Sequence, residues 1–133
     1  MKSDIEIKMD VFDHIKGSEL EQEVTGVVRH TGKRPPNSKK EDIIITMLAN
    51  QNGQIQTATV NVNIYVAANI VKNQAEEQTL RLKKLCDLSS SLFDVFRGPG
   101  FRATLLQQRV LEVSNADEYV INNQIEYKQI NER

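Results

Sequence analysis

The clearest hydrophobic pattern in the chain is a strict alternation between residues 58 and 66. The apolar positions are Ala58, Val60, Val62, Ile64 and Val66, and the polar positions between them are Thr59, Asn61, Asn63 and Tyr65. Because successive side chains of a strand point to opposite faces, the pattern predicts a strand with one buried and one polar face. Ile55 falls on the wrong parity, so we expect this strand to begin near residues 56–57.

Four other segments have strand character. They are residues 24–31, the apolar run 42–48, and two later segments, 103–113 and 119–128. The run 42–48 is rich in Ile, as in a strand covered on both faces. In the last segment Tyr119, Ile121, Ile125 and Tyr127 share one face. The Asn52-Gly53 dipeptide predicts a hairpin turn before the alternating strand, and residues 114–117 supply the turn between the last two segments.

A long helix is predicted from Gln74 to Phe96. Asn73 is its expected N-cap, with Glu76 as the capping-box partner, and Gly98-Pro99 is its expected stop. The apolar stripe on this helix is formed by Leu82, Leu85, Cys86, Ser89, Leu92, Phe93 and Phe96.

The amino-terminal region predicts a short helix within residues 9–15, ended by Gly17. Ser18 and Glu21 then form a capping box that starts one or two further turns. The order of elements is therefore helix, three strands, long helix, two strands. This order predicts a single α+β domain over residues 1–133: a mostly antiparallel four- to five-stranded sheet, one long helix packed on a face, and a short N-terminal helix.

Charge and composition narrow the classes of function. The chain has 133 residues, 17 basic and 18 acidic side chains, and a net charge of -1. This balance argues against a general nucleic-acid binder, which is usually strongly basic. A lone cysteine, Cys86, points to no oxidising compartment, and neither a signal peptide nor an apolar run of membrane-spanning length is present. We expect a soluble, cytosolic protein with no membrane contact.

The sequence contains no clear pattern of a catalytic, metal-binding or cofactor-binding site. The two histidines, His14 and His30, have no clustered ligands, so we expect no metal centre. Cys86 lies on the apolar stripe and is expected to be a small core residue. Gly98-Pro99-Gly100 lacks the lysine of a P-loop and follows a helix, so it is expected to end the helix rather than bind phosphate. We therefore expect no catalytic residue and no cofactor.

Two polar features are candidate partner-binding surfaces. The first is a basic loop, residues 29–40, which has no acidic residue and carries Arg29, Lys33, Arg34, Lys39 and Lys40. It is either a solvated connection or a docking loop for an acidic protein surface or nucleic-acid phosphates. The second is the polar face of the alternating strand, with Asn61, Asn63 and Tyr65. Amide and phenol groups suit a hydrogen-bonded subunit interface.

Several short stretches resemble phage proteins. Residues 33–45 resemble a basic Arg-Pro, Asn-Ser, Glu-Asp-Ile stretch of small proteins from Bacteroides-type prophages, and residues 60–66 are similar to a Val-Asn-Val-Asn-Ile strand in the same group. The long helix and a closing strand ending at Tyr127 follow in the same order. The group is similar to phage tail-terminator (tail-completion) proteins and related head–tail joining proteins, and the likeness covers roughly residues 24–127.

This resemblance implies an α/β fold without catalytic residues and a ring of identical subunits, often a hexamer. Such a ring would meet the tail tube protein and the head–tail connector, with non-specific contact to DNA in its lumen. It would assemble in the bacterial host cytoplasm and remain in the virion tail or neck. Two alternatives stay open: a non-catalytic nucleic-acid or protein-binding adaptor that uses loop 29–40, and an enzyme whose site is assembled from distant residues.

Overall fold

Three helices and eight strands form the part of the chain that the computed structural model describes, which is residues 2–51, 53 and 55–130. The helices are α1 (Asp4–Ile15), α2 (Glu19–Glu23) and α3 (Thr79–Phe93). The strands are β1 (Val28–Arg29), β2 (Ile43–Gln51), β3 (Thr57–Ala67), β4 (Asn69–Val71), β5 (Gln74–Glu76), β6 (Val95–Gly98), β7 (Phe101–Val113) and β8 (Glu118–Gln129).

Six of these strands make one mixed sheet in the order β1-β2-β3-β8-β7-β6, and β4 and β5 pair only with each other. All neighbours in the large sheet are antiparallel except β1 and β2, which are parallel. The predicted α+β class is confirmed. The predicted sheet had one or two strands too few, because β6 lies in a segment assigned to the end of the long helix.

The start of the long helix was predicted wrongly. Helix α3 begins at Thr79, and residues 74–76 form β5 instead of a first helical turn. Asn73 has φ 64° and lies in the turn of the β4–β5 hairpin, so it cannot cap the helix. The residue in the cap position is Gln78, which donates its side-chain amide to the Ala67 carbonyl oxygen at 2.7 Å. The hairpin turn at positive φ thus replaces the predicted N-cap.

The end of the long helix also differs from the prediction. Phe96 belongs to β6 rather than to α3, and Gly98-Pro99-Gly100 forms the tight turn between β6 and β7. Gly100 has φ 74°, a conformation that glycine adopts without steric cost. The apolar stripe is confirmed within the helix, where Leu82, Leu85, Ser89 and Phe93 are buried, whereas its predicted last member, Phe96, lies on β6.

The amino-terminal helices follow their capping signals. Helix α1 starts at Asp4, five residues before the predicted start, because the Ser3 side chain accepts a hydrogen bond from the Glu6 amide. Gly17, with φ 80°, follows its end. At α2 the Ser18 side chain accepts from the Glu21 amide at 3.2 Å, while the Glu21 carboxylate accepts from the Gly17 amide instead of that of Ser18.

The central strands lie where the alternating pattern predicts them. β3 begins at Thr57, and its side chains alternate strictly between buried and half-buried. The segments predicted at 42–48, 103–113 and 119–128 are β2, β7 and β8, whereas only Val28–Arg29 of the segment 24–31 is a strand. Asn52 of the predicted hairpin turn lies outside the described residues.

Both α1 and α3 pack on the same face of the sheet and close a single apolar core. Ile7, Val11 and Ile15 of α1 meet Leu85 and Phe93 of α3 there. The sheet contributes side chains that are 0% or 1% exposed, namely Ala58, Val60, Val62, Ile64, Val66, Ile121, Ile125 and Tyr127. No helix within the described ranges is long and apolar enough to cross a membrane.

Candidate functional site: the uncovered sheet face

No described helix packs on the opposite face of the sheet, and the side chains at its centre are polar. Residues paired directly across neighbouring strands point to the same side, so the strand register defines this open face. Its central members are Thr59, Asn61 and Asn63 of β3, Asn122, Gln124 and Glu126 of β8, and Gln107 and Arg109 of β7. All are half-buried or exposed.

Three asparagine side chains form a hydrogen-bonded ladder at the centre of the open face. The Asn122 amide nitrogen donates to the Asn63 oxygen at 2.7 Å and to the Asn61 oxygen at 3.3 Å. Asn61 and Asn63, both singled out by the sequence, thus lie together on the face where they were placed. The ladder uses the side-chain oxygens of Asn61 and Asn63 as acceptors, and both side chains are half-buried.

The neighbouring Asn123 has a different role because it points to the helix side. It is 0% exposed, and its side-chain oxygen accepts a hydrogen bond from Gln108 at 2.8 Å. Gln108 also donates to the Cys86 carbonyl oxygen at 3.2 Å, which ties α3 to the sheet. Burial and the nearby Asp87 raise the pKa of the Cys86 thiol, so this cysteine is a poor nucleophile.

Arg34, in the basic loop, is held by the protein itself rather than presented to solvent. Its guanidinium donates to Asp42 at 3.0 Å and to Glu118 at 2.8 Å. It also donates to the carbonyl oxygens of Ser38 and Lys40 at 3.1 and 3.0 Å. The side chain is only 18% exposed. Arg34 is therefore the residue that fixes the loop against the end of the sheet.

Tyr65 is covered by the same contact. The Arg34 guanidinium carbon lies 4.3 Å from the centroid of the Tyr65 ring, within the range of a cation–π interaction. The sequence indicated both side chains as partner-binding groups. The structure places both in an intramolecular clamp at one corner of the open face, whereas Asn61 and Asn63 lie outside this clamp.

Asp42 is the buried anchor of this clamp. Burial disfavours the charged form of its carboxyl, but hydrogen bonds from Ser38, from the Val27 amide and from Arg34 outweigh that effect and hold its pKa below the usual range. The approach is close enough to require Gly26, because a Cβ at that position would lie 2.2 Å from an Asp42 oxygen. Asp42 is thus contacted both by Arg34 of the basic loop and by the backbone around Gly26, which precedes that loop.

The remaining basic residues of the loop are solvent-exposed. They are Arg29, Lys33, Lys39 and Lys40. Within the described part of the chain, none of the four has a carboxylate within ion-pair distance. The cationic character expected of the loop therefore belongs to these four side chains, while Arg34 serves the fold.

A second group of cations was missed by sequence reasoning. Arg97 of β6 pairs directly with Arg102 of β7, which pairs directly with Lys128 of β8. The row lies at the edge of the open face, and Lys128 makes a 3.4 Å ion pair with Glu126. Like charges placed directly opposite each other on a sheet are destabilising. No linear signal marks this row, because only the strand register brings residues 97, 102 and 128 together.

The outer edge of β7 is also open. β6 pairs with Phe101 to Thr104, and no described strand pairs with the outer side of residues 106–113. A β-bulge at Leu106 marks the point where β7 leaves β6. The site therefore has two parts: a polar face, and an adjoining strand edge with unpaired backbone groups.

Comparison with known proteins gives no match, either among protein-family models or among the curated proteins.

Within the described residues, no three His, Cys, Asp or Glu side chains are grouped so that they could hold a metal ion. On the helix side, one polar cluster joins Arg81 of α3 to Glu23 and Glu41, and another joins Tyr127 and Lys2 to the same Asp10 oxygen, at 2.6 and 2.8 Å. Burial and this hydrogen bond raise the pKa of the Tyr127 hydroxyl, which suits a structural contact.

Proposed function

We propose that this protein is a non-catalytic structural subunit of a phage tail or head–tail joint, which forms a ring at the end of the tail tube. The observation that carries the proposal is the one-sided sheet. Its polar face and the outer edge of β7 are both left available to neighbouring subunits. The resemblance of residues 33–45 and 60–66 to tail-terminator and head–tail joining proteins supports the same conclusion.

The size of the open face suits a subunit interface. The four long strands β2, β3, β8 and β7 lie side by side, each occupying about 4.8 Å, and an eleven-residue strand such as β3 is about 37 Å long. The face therefore measures roughly 700 Å², close to the ~800 Å² per partner of a standard protein interface. Its amide-rich surface matches interfaces that are hydrogen-bonded rather than dry.

In this proposal the partners are identical subunits in a ring, together with the tail tube protein and the head–tail connector. The resemblance to tail-terminator proteins implies that this ring is a hexamer. The exposed Lys33, Lys39 and Lys40 contact an acidic neighbouring surface or DNA in the lumen. The protein is then found in the host cytoplasm during assembly and in the virion tail or neck afterwards.

Two measurements test the proposed function. The genes beside this one are expected to encode a portal, a major capsid protein, a tail tube or a tape-measure protein. The purified protein, alone and mixed with that tube protein, is expected to form rings in negative-stain electron micrographs and a discrete oligomer in sedimentation. A monomer at every concentration, without binding to the tube protein, would contradict the proposal.

A nucleic-acid-binding adaptor is the second candidate, favoured by the exposed cations of the loop and by the row at Arg97, Arg102 and Lys128. The test variant replaces Lys33, Lys39 and Lys40 by Ala and keeps Arg34, whose loss would disturb the fold. If this candidate is right, the variant binds DNA more weakly and with a smaller salt dependence, by about one unit of slope per lost phosphate contact. Lys83→Ala, an exposed α3 position paired with Asp87, is the matched control.

A further inference from the structure

The outer edge of β7 has the properties of a strand-docking site. Over the eight residues from Leu106 to Val113 no described strand covers it. Three apolar side chains on it are exposed: Leu106 by 53%, Val110 by 40% and Leu111 by 40%. Proteins usually protect such an edge, because its unpaired N–H and C=O groups accept another strand. At about 3.4 Å per residue the edge is about 27 Å long, which is enough for a short added hairpin.

The β4–β5 hairpin is a segment of the same chain that lacks a partner for its own apolar side chains. It spans Asn69 to Glu76, turns through Lys72 and Asn73 at positive φ, and pairs with no other described strand. Ile70 and Val71 are 59% and 44% exposed. Two strands of three residues are only marginally stable by themselves, so this arm gains order from a neighbouring sheet.

We propose that the β4–β5 arm of one copy adds to the outer edge of β7 of a second copy and extends its sheet. This inference rests on the proposed ring and names the contact that closes it. A peptide that adds to a sheet edge gains its affinity from backbone hydrogen bonds and its specificity from alternate side chains. The arm supplies exposed Ile and Val, and the edge supplies exposed Leu and Val.

The charges and the symmetry of these two surfaces fit a second copy as the occupant. The arm carries Lys72 at its turn and Glu76 and Glu77 at its base, and the edge carries Arg109 and Glu112, all of them exposed. One orientation of the arm on the edge therefore places opposite charges together. An arm and an edge are different surfaces, so their contact is head-to-tail and leaves one arm and one edge unused in every dimer. Repeating the contact adds subunits in one direction until the ring closes, whereas an edge-to-edge contact would stop at a dimer.

Disulfide cross-linking between copies tests this contact. The experiment uses the full chain with Cys86→Ser and places one new cysteine on the arm, Ile70→Cys, or on the edge, Val110→Cys. The two variants are mixed, oxidised and separated on non-reducing gels. A disulfide requires Cα atoms about 4.4–6.8 Å apart, so a linked pair reports a direct contact. We expect the mixture to yield several-fold more linked dimer than either variant alone.

Three results would overturn the inference. The first is that Val110→Cys alone links as well as the mixture does, which would show edge-to-edge pairing. The second concerns Ile5, which lies on α1 and is 60% exposed. If Ile5→Cys links to Val110→Cys with the same yield as Ile70→Cys does, the links report random collisions. A mixture of arm and edge variants that gives no linked dimer under conditions where the wild type forms rings would also reject the contact.

Charged substitutions separate the failure of this contact from the failure of the proposed function. Ile70→Lys and Val110→Lys are each expected to remove rings and to weaken self-association at least tenfold, with unchanged circular dichroism. Mixing the two restores dimers but not rings, because one intact arm and one intact edge remain per pair. If both variants still form rings, the arm–edge contact is wrong and the ring proposal stands. If the wild type never forms rings, with or without tube protein, the proposed function itself is wrong.

Discussion

The two faces of the sheet are made by the same strands and have opposite roles. On β3, Ile64 is 0% exposed beneath the helices, while its neighbour Asn63 lies half-buried on the open face and accepts a hydrogen bond from Asn122. Burying one Ile side chain contributes about 1.5–3 kcal/mol to folding, whereas a half-exposed amide contributes far less. The helix side therefore holds the fold together, and the open side is available for contact with other molecules.

The basic loop repeats this division within two consecutive residues. Lys33 is exposed, whereas Arg34 is bound to two buried carboxylates and packed on Tyr65. A cationic residue type thus does not by itself identify a partner-binding group. Within each comparison, substitutions at the buried and at the exposed position should lower the free energy of unfolding by different amounts. We expect the largest difference in the loop, between Arg34 and Lys33.

Replacing Arg34 by Met should have the largest effect. The change keeps the length of the side chain and leaves Asp42 and Glu118 buried without their cation, at a cost of about 3–5 kcal/mol in the free energy of unfolding. Urea unfolding of the variant measures this loss. Lys33→Ala is the matched control and should change stability by less than about 0.5 kcal/mol. Equal effects of the two substitutions would show that Arg34 is not the clamp.

Ile64→Ala should be the next most costly change. It leaves a cavity at a fully buried position and is expected to lower the free energy of unfolding by about 2–5 kcal/mol. Asn63→Ala, one residue away on the open face, should cost less than about 1 kcal/mol. Chemical denaturation of both variants compares the two faces directly, and a larger loss for Asn63→Ala would reverse the assignment of the faces.

The neighbours Asn122 and Asn123 offer the same comparison on β8. Asn123→Ala removes the buried acceptor of Gln108 and should cost about 1–3 kcal/mol. Asn122→Ala removes two hydrogen bonds on the open face and should cost about 1 kcal/mol or less. Thermal unfolding measures both. If the open face is a subunit interface, Asn122→Ala should weaken self-association more than Asn123→Ala does, although it costs less stability. Sedimentation measures this self-association.

Acid should weaken the clamp before it affects the apolar core. The folded protein holds the pKa of Asp42 below the ordinary value of 3.8. The stabilisation from this carboxylate is therefore complete at about pH 5, which is above the pKa of Asp42 in the unfolded chain. It is lost as the pH falls through the lower pKa of the folded protein. Urea unfolding between pH 5 and pH 2 measures the loss. Asp42→Asn should flatten that dependence, and an unchanged slope would show that another carboxyl is responsible.

Local patterns were sufficient for the parts of the fold that local forces control. The alternation at residues 58–66 predicted β3 and its two faces, since a strand places neighbouring side chains on opposite sides. Ser18 and Glu21 predicted the start of α2, since the cap is formed by residues three apart. The start of α3 was predicted wrongly because an asparagine such as Asn73 suits both an N-cap and the positive φ of a hairpin turn. The pairing of Asn69–Val71 with Gln74–Glu76 places Asn73 in the turn.

The candidate site was predicted only in part, for a related reason. Asn61 and Asn63 were found because their face follows from their own strand. The sequence could not show that Arg34 is bound to Glu118, which lies 84 positions away, or that Arg97, Arg102 and Lys128 form one row. Those contacts depend on strand register and on the packing of a loop against the sheet.

The sequence by itself determined the α+β class, the two-faced central strand and the positions of most strands, because side-chain periodicity and helix capping act over a few residues. The tertiary structure alone decided which cations are exposed, which strand edge is left open and that β4 and β5 pair only with each other. These features arise from contacts between segments far apart in the chain, and their free energy is set by burial and register rather than by any local pattern.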